Sequence, residues 1–123
     1  MNEPTIDELL AACREAVPGV TWSAIRATWL YDDRPSARVG ARALVPGASA
    51  VVRWRPANDD HPAGYVADIG VISAAWGAWR RWPDVRTAML EVAGSMRGAG
   101  DDRGGYYWRP VGDALAELLQ VGT

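Results

Sequence analysis

The side chains most able to do chemistry together are arginines. Arg38 and Arg42 fall in one alternating run, Arg53 and Arg55 in the next. Even spacing along a β-strand places side chains on one face of a sheet. If the apolar sides of both runs turn inward, these four guanidiniums emerge together on the other side. Arg26 and Trp22 are expected to join them from a preceding strand. Guanidinium keeps its charge when desolvated and grips carboxylate or phosphate in a fork. The array therefore suits an acidic protein segment, or, less well, a nucleic-acid backbone. A base-stacking sheet presents several exposed aromatics, which this pattern lacks. A charged outer face is also the ordinary solvated side of an antiparallel sheet, and that plainer reading comes first.

Other chemistries find little support. Asp59-Asp60-His61 is the one cluster resembling metal ligands. Adjacent loop residues rarely converge on an ion, and there is no second His, so no metal site or cofactor is expected. Cys13 is the only cysteine, which excludes an intramolecular disulfide. The sole His sits in a polar loop without a nucleophile-elbow motif, so a hydrolytic triad is not expected and no catalytic residue is assigned. The glycines at 98–105 lack the Lys and the strand-to-helix setting of a phosphate loop. Asp68 stands alone in an apolar run. It is expected to pair with a hairpin arginine; the alternative is a raised-pKa acid or base lining a cavity beside Tyr65 or Trp76.

The elements that position these residues follow from periodicity. Residues 5–17 read as a helix, with a Thr5/Glu8 capping box and Ile6, Leu9, Leu10, Cys13 and Val17 on one face. Residues 20–31 read as a strand with no cleanly apolar side. Residues 37–45 and 49–55 alternate and flank Pro46-Gly47, a hairpin signal. The run at 65–72 is β-branched and reads as the interior strand about which the chain is organised. Ser73 is placed to cap a helix carrying Trp76, Trp79 and Trp82 at three-residue spacing, broken near Pro83. A second helix is expected to about residue 97, with Val85, Ala88, Met89, Val92 and Met96 as its stripe. Tyr106-Tyr107-Trp108-Arg109 reads as an edge strand, followed by a closing helix from Pro110 to about 121.

The expected fold is α+β: a single domain over 1–123, with an antiparallel sheet of four or five strands and helices packed on one face. With 123 residues, a net charge of −2, seven Trp and no Phe, the chain should bury a core rich in indole rings. All 13 basic residues are Arg. No apolar signal region or bilayer-length segment is visible, so cytoplasmic residence without a membrane is expected. The function expected first is a small non-enzymatic inhibitor or immunity-like protein, of the kind associated with phage and toxin systems, acting through a protein partner. Its candidate binding residues are Trp22, Arg26, Arg38, Arg42, Arg53, Arg55 and the Trp76, Trp79, Trp82 arc. The arc and the 106–109 edge also leave a homodimer open. A cavity enzyme or ligand-binding domain around Asp68, and a nucleic-acid binder through the arginine face, are the alternatives.

Overall fold

The computed structural model describes residues 3–26, 39–71, 74–77, 80–98 and 105–121. Among these residues, five antiparallel strands form one sheet, and three helices pack against it. The expected α+β architecture is what the chain adopts.

Helix α1 spans Ile6–Ala16. Thr5 and Glu8 close the capping box: the Glu8 amide donates to Thr5 Oγ1 at 3.2 Å, and the Thr5 amide donates to Glu8 Oε1 at 3.0 Å. The accepted bonds also hold the Glu8 carboxyl below its ordinary range. Leu9, Leu10 and Cys13 are the buried face. Strands β1 (Trp22–Arg26), β2 (Val39–Val45), β3 (Ala48–Arg55), β4 (Gly64–Val71) and β5 (Ala74–Gly77) follow, each hydrogen-bonded to the next in chain order. Such a meander needs only short reversals. One of them is the Pro46-Gly47 turn between β2 and β3, where Gly47 has φ +83°. This is the left-handed region that glycine enters without steric penalty.

The inner face is fixed by register. Trp22 stands opposite Ala43, Ala43 opposite Ala50, and Ala50 opposite Ile69, all four buried. Small residues on the central strands leave depth for the helices. Helix α2 (Val85–Arg97), capped by Asp84 Oδ1 accepting from the Thr87 amide at 2.7 Å, buries Val85, Ala88, Met89, Val92 and Met96. This is the stripe the sequence predicts. Helix α3 (Gly105–Val121) packs mainly on α2 through Trp108, Val111, Leu115 and Leu119. At Gly112 the two helices come so close that a Cβ would lie 2.9 Å from the Ala93 carbonyl oxygen.

Two expectations are overturned. Ala74–Gly77 is a strand, not the start of a tryptophan-bearing helix. It pairs back onto Asp68–Val71, with Trp76 opposite Ile69. Pairing satisfies the backbone along this side of β4, a tertiary gain that outweighs the three-residue spacing of the tryptophans. Trp82 continues the theme: its backbone and that of Tyr65 exchange two hydrogen bonds, of 2.8 and 2.9 Å. Tyr106–Arg109 is the first part of α3, not an edge strand. Helical spacing puts Trp108 in line with Val111, Leu115 and Leu119, and burying that stripe wins over the β propensity of the aromatics. Pro110 is accommodated on the exposed side of the helix, with the loss of one amide donor.

Candidate functional site: the sheet face opposite the helices

The face away from the helices carries the other alternation set. Across β1 to β5, Ser23, Arg42, Val51, Asp68 and Gly77 lie in one row by register. Ile25 and Gly40 begin the next row, and Arg53 and Val66 continue it. Leu44 and Ser49 pair on the far side of the first row, with Gly70 and Ala75 beyond them. The prediction that Arg42, Arg53 and Arg55 share the face opposite the helices therefore agrees with the strand register.

The three arginines do not present themselves equally. Arg42 is exposed. Arg53 is only 5% exposed, and its Nη2 donates to Asp68 Oδ2 at 2.8 Å. Gly40 makes this placement fit: a Cβ there would lie 3.2 Å from Arg53 Cγ and 3.0 Å from the Val52 carbonyl. The glycine leaves room for the arginine stem. Val51 and Val66 beside it are buried too, so this part of the face is not the wet surface that the sequence pattern implies. Arg55 is half-buried and lies opposite Gly64.

Asp68 has the partner predicted for the one charge in the central strand. Burial pushes its carboxyl above the ordinary value of 3.8, while the charge and hydrogen bond of Arg53, and the charge of Arg55, pull it back down. The direction is the one a general acid needs. The carboxylate is nevertheless committed to Arg53, as in an internal ion pair.

By register, two candidate residues fall in the other alternation set. Trp22 and Arg26 were expected beside the arginines. Trp22 instead lies in the core, 2% exposed, with Nε1 donating to the Val17 carbonyl at 3.1 Å. The cause is parity: Ser23, not Trp22, stands opposite Arg42. Arg26 closes the same alternation set as Trp22, in register with Val39. Arg38 and Trp79 lie outside the described residues, as do Ser73 and most of the glycine-rich segment.

Trp82 is half-buried, and the Arg80 guanidinium sits 4.6 Å from its ring centroid. Its indole N–H is buried without a hydrogen-bond partner. Next to this bridge, Trp54 and Tyr65 meet edge to face across β3 and β4, with centroids 5.2 Å apart. Burial raises the Tyr65 phenol, and its half-buried position leaves it between core and solvent. These aromatics knit the end of the sheet together and form no joint surface with Arg42.

One residue went unnoticed in the pattern. Leu44 is 70% exposed, more so than Leu90, the other large exposed apolar side chain among the described residues. It occupies the same alternation set as Arg42, two residues further along β2. Reading that set one step past Arg42 would have found it.

In the loop before β4, Asn58 Oδ1 accepts from the amides of Asp60 and His61, at 2.9 and 2.8 Å. This Asx turn accounts for the Asp-Asp-His run as loop geometry. Among the described residues no group of three or more His, Cys, Asp or Glu is placed to hold a metal ion, and no helix is long and apolar enough to cross a membrane.

Compared with protein-family models, with curated proteins and with solved structures, the chain matches none.

Proposed function

We propose that this chain is a small binding protein, inhibitor- or immunity-like, that acts by docking an acidic protein partner on the β1–β3 part of the sheet face opposite the helices. The observation that carries the reading is the pairing of Arg42 with Leu44. A fixed positive charge and a bare aliphatic side chain stand about 7 Å apart on one rigid strand. Both are exposed, while the neighbouring Arg53 is neutralised internally by Asp68. Interface centres combine such apolar contact with arginine. Residence in the cytoplasm, where such inhibitors meet their targets, belongs to the same proposal.

A protein partner is favoured over nucleic acid because the exposed part of the face offers Leu44 beside Arg42. Phosphate binding draws on several cations at once. The engagement of Asp68 by Arg53 weakens the alternative of a catalytic cavity around that carboxylate.

The test is affinity capture from host lysate with the wild-type chain and with an Arg42→Glu, Leu44→Asp variant. Both positions are exposed, so the thermal midpoint should stay within a few degrees of wild type. The reading expects one stoichiometric partner to be captured by the wild type and lost with the variant. Equal capture by both would remove this surface from consideration.

A further inference from the structure

Strand β1 ends the sheet: among the described residues it pairs with β2 alone. Ser23 and Ala24 point to opposite faces, and both are exposed. Solvent therefore reaches this edge from both sides. Natural edge strands are commonly guarded by a charge, a proline or a bulge. Strand β1 carries no proline, and its one charge, Arg26, stands at its last position. One strand inward, Arg42 is in register with Ser23.

An edge strand with no proline, whose one charge stands at its end and which lies beside an exposed arginine and leucine, is a template for an added strand. A strand laid along β1 would set alternate side chains beside Ser23 on the outer face. Its backbone would run about 10 Å from that of β2, two strand spacings away. A Glu side chain and the Arg42 side chain together span that gap. The next residue on the same face, two positions along, would approach Leu44.

Resting on the docking face proposed above, we infer that the partner contributes an extended segment that adds as a further strand to the edge of β1 left unpaired among the described residues. On the outer face that segment carries a carboxylate toward Arg42 and an aliphatic side chain toward Leu44, in an acid-x-aliphatic spacing. Main-chain hydrogen bonds to β1 supply affinity, and the two side chains supply specificity. The occupant is thus an acidic extended peptide of another protein, and charge complementarity with Arg42 selects it.

The probe is an end-capped nonapeptide in which Glu and Leu alternate between Thr residues, titrated into the intact chain while amide exchange is followed by NMR. The expected result is that the outward-facing amides within Trp22–Arg26, fast-exchanging in the free protein, become protected on binding. N-methylation of alternate peptide amides, and separately Arg42→Glu, should each weaken binding about tenfold or more. Binding without protection in β1, or unaffected by N-methylation, overturns the added strand while leaving the docking face intact. So does failure of the peptide to bind when Arg42→Glu still abolishes capture of the natural partner. Protection of the β1 edge in the free protein, together with a dimeric mass in sedimentation, would give the edge to a second copy and also overturn the proposal. Loss of the docking face itself would show differently, as capture of the natural partner indifferent to Arg42→Glu and Leu44→Asp.

Discussion

Arg53 and Asp68 meet as a buried ion pair, and removing one partner of such a pair is costly. Arg53→Met would strand a buried carboxylate and is expected to destabilise the fold by about 3–5 kcal/mol at neutral pH. Adding Asp68→Leu should restore most of that loss, since a well-packed apolar pair can match a buried ion pair. Urea unfolding of the two variants measures both effects. The pH dependence is also fixed in sign. The folded carboxyl already titrates above its ordinary value because burial outweighs Arg53. Without Arg53 it must titrate higher still. A raised carboxyl contributes stability while protonated and loses it as pH rises through the folded value. The gap between Arg53→Met and wild type should therefore narrow as pH falls from neutrality through that range. A gap that widens on acidification would mean that the pair is not what sets the titration of Asp68. The thiol of Cys13 offers a second residue-scale check. Burial pushes it up to about 12. It should resist iodoacetamide at pH 8 in the native protein and react fully in denaturant, as read by intact mass. Asp68's need for an arginine was legible, because one charge in a β-branched run has few ways to be satisfied. That Arg53 would be the partner, and so be withdrawn from the surface, was not. It depends on the gap left by Gly40 and on the buried Val51 and Val66, which no alternation pattern displays.

At the scale of elements, Gly112 of α3 and Gly94 of α2 should respond to alanine in opposite directions. A Cβ at Gly112 would lie 2.9 Å from the Ala93 carbonyl oxygen and 3.0 Å from the Arg97 amide nitrogen, both backbone atoms that cannot swing aside. Gly112→Ala should destabilise by about 1–3 kcal/mol. Gly94 lies on the exposed side of α2 with nothing within 4 Å of its missing Cβ. Gly94→Ala should stabilise by about 0.5–1 kcal/mol through helix propensity alone. Chemical denaturation of the pair tests whether the helices meet at Gly112; the same sign for both would contradict that packing. Helices α1 and α2 were legible because caps and apolar stripes are local. The β2–β3 hairpin was legible because Pro-Gly between alternating runs names its own turn. The segments misread are those where local and tertiary signals compete. Three tryptophans at three-residue spacing imitate a helix, yet Ala74–Gly77 satisfies the open side of β4. Tyr106–Arg109 has strand composition, yet Trp108 completes the buried stripe of α3. In both cases the partner surface decides, and it lies elsewhere in the chain.

For the whole molecule, one sheet covered by helices on a single side was readable from the order of elements. The location of the binding surface was only half readable. Alternation placed Arg42, Arg53 and Arg55 correctly opposite the helices. It also counted Trp22 among them, because the first strand has no cleanly apolar side and its parity was left undetermined. Burial then sorts the arginines: Arg53 serves the fold, and Arg42, with the overlooked Leu44, is what a partner would meet. The chain's net charge of −2 means that attraction for an acidic partner must come from this local display. The most direct measurement compares Arg42→Glu with Arg14→Glu, an equal charge reversal at an exposed position on α1, in quantitative affinity capture of the natural partner. Capture lost by Arg42→Glu and retained by Arg14→Glu is the predicted result. Equal loss in both, or loss in Arg14→Glu alone, would contradict a docking surface on the face opposite the helices.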